Sequence, residues 1–365
     1  MGLRFFDPMV TYGSVASLGA GGFTVGTPGD VVVSATGGRS GGGYAAIADS
    51  GVLGIPTNSS DVTQRLWVSF SFWAEAVPGD SNTPLVRIYN GGGTQLMAAV
   101  HLTSGQGFEV RDSNDSVVGM SADALWNPAG WEHLEIEVEG DGALGRVRVL
   151  LGDVEVLEVV DIDTDATGGG SPDFVTMHRG VDAGGSATRF DDIATWDSVS
   201  AGSGDPFVQS VGDFFMEHRF PTGDVESNSW AHSGGGGFYE DVDDSLGDHD
   251  DDSTYVESVP GGPGDLVFSH AGGLVADTVL AVGVLVEGRR TQQGNISIDV
   301  EALVRGDLTN DDGGTTDEAP IPVDIDLNLV PDQYVVTRHA LYEDPAENAA
   351  WTQNGVNDMG FGLRG

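Results

Sequence analysis

Cysteine and lysine are both absent from this chain. Without cysteine no disulfide and no thiolate metal site can form, and the redox state of the compartment leaves no mark on the sequence. Without lysine, all 15 basic residues are arginine; they stand against 57 aspartates and glutamates, for a net charge of −42. Long apolar runs are missing too, since the longest, Val279 to Val286, falls far short of the ~20 residues that cross a bilayer as a helix. Membrane insertion is therefore not expected. Met1 to Asp7 carry no basic stretch followed by an apolar one, so no secretory signal is expected, and the chain is expected to be made in the cytoplasm.

The acidity is spread through the chain. Residues 1–205 hold 27 acids and 9 arginines, and residues 206–365 hold 30 and 6. A field of this sign makes nucleic acid and anionic membranes poor partners, and in dilute buffer it opposes the compact state by self-repulsion. At 1 M salt the screening length drops to ~3 Å and the repulsion vanishes. Two readings fit the acid excess, an ordinary acidic protein of a GC-rich genome and adaptation to very high salt, and the missing lysine favours the second.

What the chain has in quantity is glycine, 56 residues without a triplet period, while stretches of helical period are hard to find. Short alternating runs between Gly/Asp/Asn/Ser turns predict an all-β protein. At ~150 residues per domain the length suggests two. The expected organisation is two β-sandwich, jelly-roll-like domains in tandem, residues 1–203 and 204–365, joined through a Ser/Gly-rich linker at Ser198 to Asp205.

Residues 131–162 read most clearly. Leu134, Ile136 and Val138 alternate with Glu135, Glu137 and Glu139, and Val147, Val149 and Leu151 with Arg146 and Arg148. A hairpin pairing Val138 with Val147 and Ile136 with Val149 also pairs Glu139 with Arg146 and Glu137 with Arg148. The apolar row sets this register, because a slip of one residue would turn it outward; the cross-strand ion pairs, ~0.2–1 kcal/mol each, only agree with it. Gly152 and Asp153 then turn the chain into a third strand from Val154. The prediction is a meander with its glutamates on a wet face. Further strands are expected at 31–34, 65–74, 84–89, 95–102, 107–111, 116–120 and 188–196. In the second half they are expected at 265–269, 275–286, 296–304 and 333–342. In the run Arg65 to Ala74, Trp67, Ser69, Ser71 and Trp73 share one face and Leu66, Val68, Phe70 and Phe72 the other, as in a central strand covered on both sides.

Several stretches carry a resemblance. Arg4, Phe5, Phe6 and Asp7 with Tyr12, Gly38 and Arg39 before Gly41, Gly42 and Gly43, the strand from Trp131 to Glu135, and Phe190, Asp191, Asp192 and Ile193 with Trp196 and Asp197 form one such set. Together they resemble the concanavalin A-like (laminin-G-type) jelly-roll domains of tailed-virus virion proteins. Tyr239, Val242 and Asp243, Asp251, Asp252, Tyr255 and Val256, Asp344 and Pro345, Trp351 and Thr352, Val356 and Asn357, and Phe361 and Gly362 are similar to a module of phage virion and fibre proteins. With the acidity, the resemblance implies a non-enzymatic surface protein of a tailed virus of a halophile, a capsid decoration, turret or tail fibre. Its implied partners are further copies of itself, other virion proteins and host-surface glycans. The alternatives are a dedicated carbohydrate-binding receptor module and a jelly-roll glycan hydrolase.

The hydrolase alternative rests on Glu135, Glu137 and Glu139, which resemble the Glu-x-Asp-x-Glu signature of jelly-roll glycoside hydrolases with Glu137 in place of the aspartate. Retaining chemistry needs carboxyl groups ~5–5.5 Å apart, whereas positions i and i+4 of a flat strand lie ~13 Å apart. Two acidic clusters are candidate sites for Ca2+ or another cation, Asp241, Asp243 and Asp252, or Asp161, Asp163 and Asp165. The first departs from an EF-hand in having Leu246 where glycine is needed and Asp252 in place of the bidentate glutamate. No histidine pair has zinc spacing, and no other cofactor is expected. Trp67, Trp73, Trp126 and Trp131 are read as core residues before sugar-stacking ones.

Overall fold

The computed structural model describes residues 3–9, 12, 14–39, 41–57, 65–79, 83–90, 93–141, 143–164, 171–181, 186–197, 205–207, 209–227, 230–242, 256–258, 265–271, 273, 278–288, 300–305, 318–323, 335–344 and 349–364. The chain is all-β and divides into two compact units, Met1–His218 and Arg219–Gly365. The sequence placed this division at 203/204. The contacts move it because residues 205–207 and 209–218 pack onto the first unit through Phe207, Ser210, Phe214 and Met216.

Fifteen strands build the described part of the first unit. They are β1 (Leu3–Asp7), β2 (Thr24–Gly26), β3 (Val31–Ser34), β4 (Tyr44–Ile47), β5 (Val52–Pro56), β6 (Arg65–Ala74), β7 (Pro84–Asn90) and β8 (Gln95–Leu102), followed by β9 (Phe108–Arg111), β10 (Val117–Met120), β11 (Glu132–Glu139), β12 (Gly145–Leu151), β13 (Val154–Ile162), β14 (Phe174–Met177) and β15 (Thr188–Asp197). One sheet runs β13-β12-β11-β6-β15-β4-β3 with β1 also on β15, the other β10-β9-β8-β7-β14-β5-β2. All described pairings are antiparallel.

The register of the meander is the one its alternation demands: Val138 faces Val147, Ile136 faces Val149, Glu137 faces Arg148 and Glu139 faces Arg146. The predicted strand pattern also holds for β6, which is central and covered on both sides, pairing with β11 on one edge and β15 on the other. Its Leu66, Val68, Phe70 and Phe72 point into the core, where Phe70 meets Phe190 at 5.6 Å and Phe72 meets Trp126 at 6.1 Å. Trp126 closes this core with its indole N–H on the Gly107 carbonyl at 3.2 Å. Its expectation as a core residue is met.

One expectation fails. The glutamate face of β11 is not wet: Glu135 is 0% and Glu137 1% exposed. Arginines from both neighbouring strands close over Glu137, and residues 205–218 lie across Glu135. The same face of β6 carries Trp67, Ser69, Ser71 and Trp73, so it is the outer face of the sandwich, and its middle is roofed by the chain's own segment.

The second unit contains a five-stranded antiparallel sheet in the order Pro221–Ser227, Asp265–His270, Gly360–Arg364, Val300–Arg305 and Glu318–Val323, together with a two-stranded ribbon of Val282–Gly288 and Val335–Leu341. Val282 and Val284 of the ribbon share an apolar cluster with Val304 of the sheet and with Trp351, Val356 and Met359. Thr352 caps the short helix Gln353–Asp358 that delivers Val356 to it.

Candidate functional site

The outer face of the larger sheet holds an unusual concentration of buried polar side chains. Alternation on three adjacent strands, β11, β6 and β15, brings His133 opposite Ser71, Glu135 opposite Ser69, and Asp191 opposite Ser71. A bulge between Asp191 and Ala194 adds Asp192, which adopts φ +50°, a conformation aspartate tolerates better than most residues. The bulge also lets β15 change neighbours, from β4 at 188–190 to β1 at 193–196.

Arg39 reaches in from the glycine-rich loop. Its Nη1 donates to Ser71 Oγ at 3.0 Å and to the Phe214 carbonyl at 2.8 Å, and its Nη2 to Asp213. Ser71 Oγ donates to Asp192 Oδ2 at 3.1 Å, and the Met216 N–H donates to Asp192 Oδ1 at 2.8 Å. Glu135 accepts from Ser210 Oγ and, at 3.2 Å, from the Val211 N–H. Burial raises the Glu135 carboxyl to about 7 against those hydrogen bonds. Burial likewise raises Asp191 and Asp192, Asp191 further because Asp192 stands beside it.

Ser69, His133 and Asp213 have the outline of a nucleophile triad, with Ser69 Oγ 2.9 Å from His133 Nε2 and Asp213 Oδ1 3.8 Å from Nδ1. Electrostatics oppose that role. Burial, and next the Arg39 charge, push the imidazole down to about 4, so it is neutral at neutral pH. Arg39 Nη1 sits 3.2 Å from Nδ1, and a guanidinium can only donate. An imidazole pushed that far down and held against a cation is a weak base for the Ser69 hydroxyl. Ser69 is 0% exposed. A weak base beside a buried hydroxyl does not make an activated serine.

Of the three glutamates that could carry hydrolysis, Glu137 is held by Arg65 Nε at 3.1 Å, Arg146 Nη2 at 2.9 Å and Arg148 Nη1 at 3.0 Å. Glu139 takes Arg65 and Arg146 at 3.1 and 3.3 Å. Three guanidiniums thus surround Glu137, while Glu135 has none within bonding distance. Both rise from the same strand to the same face, and both are buried, Glu135 beneath Ser210 and Val211 and Glu137 beneath its arginines.

Beside Glu137 lies a pocket of about 430 Å³ lined by Arg65, Trp67, Arg146, Arg148, Gln209 and Ser210. Two donors of its lining residues, Trp67 Nε1 and Arg146 Nε, have no acceptor. Trp67 stacks on Trp196 at 5.9 Å, with Arg148 over its ring at 5.8 Å. At the opposite end of the outer face, Trp73 meets Trp131 edge-on at 5.8 Å, and Arg189 bridges Trp73 and Tyr44 at 5.2 and 4.9 Å. All four residues are half-buried.

No group of three His, Cys, Asp or Glu among the described residues is arranged to hold a metal ion. Asp241 is buried as a turn acceptor, 3.0 Å from the Gly234 N–H and 2.9 Å from His232 Nδ1, while Asp243 and Asp252 lie outside the described residues. Asp161 sits exposed at a bulge and Asp163 beside it, while Asp165 lies outside the described residues. An oxygen-rich cluster that sequence reasoning missed lies at Asp7 and Asp191, beside main-chain carbonyls of Met9, Ser34 and Gly43. A Cβ on Gly43 would sit 2.2 Å from the Met9 oxygen and 2.7 Å from the Ser34 oxygen, and one on Gly38 2.5 Å from Asp191 Oδ2. Its ligand types suit a hard cation. Internal N–H and O–H donors already satisfy the carboxylates, from Met9 and Tyr12 to Asp7 and from Arg39 and Asp192 to Asp191.

No family model matches the chain, and no curated protein matches it. Solved structures with a similar course of chain include the cellulose-induced protein Cip1, at 13% identity and a TM-score of 0.40 over 52% of this chain and 96% of that one. A carbohydrate esterase from Shiga toxin-encoding bacteriophage phi24B is similar at 15% identity and a TM-score of 0.36 over 53% and 99%. The carbohydrate-binding module CBM66 from Bacillus subtilis is similar at 13% and 0.32 over 48% and 96%.

Proposed function

We propose that the chain is a non-enzymatic surface protein whose first unit contacts glycans through the outer face of its larger sheet. One observation carries this reading: the face has aromatic rings at both ends, Trp67 buried in a pocket wall and Tyr44, Trp73 and Trp131 half-exposed, with hydrogen-bonding side chains between them beneath residues 209–218. Rings give flat apolar contact and a few fixed polar groups give orientation, the usual division of labour in a ligand site. Trp67 and Trp73 are six residues apart on one strand, ~20 Å, a span suited to an extended oligosaccharide. In this reading the protein sits on the virion of a tailed virus of a halophile, as decoration, turret or fibre, in a symmetric homo-oligomer. The missing lysine, the net charge of −42 and the sequence resemblance support that setting.

The test is a glycan array in molar salt. The expected result is binding that Trp73→Ala and Trp131→Ala each weaken at least tenfold. Binding that survives both substitutions, or no binding to any glycan, refutes the site. Counting copies per purified virion separates capsid from tail. The raised Glu135 carboxyl favours one second reading, a hydrolase with Glu135 as acid. Release of reducing sugar that Glu135→Gln abolishes would replace the first reading by this one.

A further inference from the structure

We propose that residues 205–218 are a displaceable strap, lying in a groove on the outer face of the first unit as an internal stand-in for an extended ligand. The identity of that ligand as a glycan rests on the reading above, and the displacement does not.

The floor beneath the strap is the first reason. Ser69, Ser71, His133, Glu135 and Asp192 are all at most 3% exposed, yet all are polar, as the side chains of an open binding surface are. Even when each is bonded, buried polar groups gain little over an apolar floor under an apolar roof, so a face built only to be covered has no need of them. The second reason is how the strap is held. Its described residues form no helix and no strand. Its backbone is received by side chains: the Val211 and Met216 N–H groups donate to Glu135 and Asp192, and the Gln209 and Phe214 carbonyls accept from Trp196 Nε1 at 3.0 Å and from Arg39. These are the contacts a polyhydroxylated chain would make.

The apolar hold is small. Phe207 is buried against Trp196 at 5.5 Å, Phe214 is half-buried against His133 at 5.0 Å, and Phe215 is 49% exposed. Segments with few buried apolar contacts open at a fraction of the global stability. The space also continues beyond the strap, because Gln209 and Ser210 form one wall of the pocket at Trp67. Lifting the strap would join that pocket to the floor at Ser69 and Ser71 and lead on toward Trp73 and Trp131, in a single track.

The absence of cysteine gives a clean test, since one introduced thiol is the only one in the molecule. Ser69→Cys lies under the strap and Val68→Cys, its neighbour on β6, lies in the core between the sheets. In molar salt the thiol of Ser69→Cys is expected to be labelled at least tenfold faster than that of Val68→Cys. Adding Phe207→Ala with Phe214→Ala should raise the first rate tenfold again and leave the second unchanged. Equal rates at the two positions overturn the strap, because both thiols would then be reached only by unfolding of the whole unit. Hydrogen exchange on the unaltered chain gives an independent reading: the Val211 and Met216 amides should exchange well before those of β6 and β11, and joint exchange overturns the proposal. The Phe207→Ala, Phe214→Ala chain should also bind long oligosaccharides tighter. Rapid labelling without that gain overturns the glycan reading and leaves the strap standing.

Discussion

Glu135 offers the sharpest test of the electrostatics. Its carboxyl is raised from an ordinary 4.5 to about 7 by burial, so the folded state holds a proton that the unfolded chain gives up. For such a group the stabilisation is full below the unfolded value and is lost as pH rises through the folded one. At ~1.4 kcal/mol per pH unit of separation, the whole window is about 3 kcal/mol, and about 2–3 kcal/mol of it falls between pH 5 and 8. Glu135→Gln removes this dependence, because the amide stays neutral. At pH 5 the variant should be the less stable by about 1 kcal/mol, having one acceptor fewer for the Ser210 and Val211 donors. Near pH 8 the order should reverse. The assay is thermal unfolding of both proteins across pH in molar salt, where the difference in melting temperature should swing by roughly 5–10 °C. Asp191, Asp192 and His133 titrate in both proteins and cancel in the difference. A constant difference from pH 5 to 8 would refute the reasoning, and so would a variant that is destabilised most at high pH.

Two further outcomes follow from charge. Glu137→Gln should destabilise the first unit by about 3 kcal/mol at neutral pH, the low end of the range for breaking a buried ion pair, because its three arginine partners are 25–36% exposed; a loss below about 1 kcal/mol in thermal or denaturant unfolding would show that those arginines are solvated without it. Lowering salt below about 0.5 M should unfold the chain, since −42 charges then repel over a growing screening length, and a melting temperature unchanged between dilute buffer and molar KCl would contradict the salt-adapted reading.

Much of the first unit was legible because its alternation is strict and its charges agree. Trp131 to Ile162 fixed its own register, and Arg65 to Ala74 announced a strand with two covered faces. Strands β1, β2, β4, β5 and β14 were missed because runs of three to five residues are too short to show a period. The strap was missed for a related reason. Residues 205–218 have no period of their own and follow a Ser/Gly-rich stretch, so they read as the start of another unit. Which residues roof a sheet is a tertiary fact, and alternation tells only that a face is polar, not that it is wet.

The ladder nevertheless contained a sign of the roof. Along β11, Glu137 and Glu139 each find an arginine directly opposite on β12, while Glu135 stands opposite Leu150 on that strand and Ser69 on the other side. A glutamate without a cationic neighbour on a face where the others are matched must either reach water or be supplied with donors from outside the sheet. Here the supply comes from Ser210 and Val211, some 75 residues along the chain. The same asymmetry bears on Glu135, where burial, with no guanidinium opposite, moves the carboxyl up to about 7. Two glutamates alike in sequence thus have opposite roles, Glu137 tying three strands together and Glu135 holding the strap. The unmatched residue in an otherwise matched ladder is the one to follow to the cover, and through the cover to the groove beneath it.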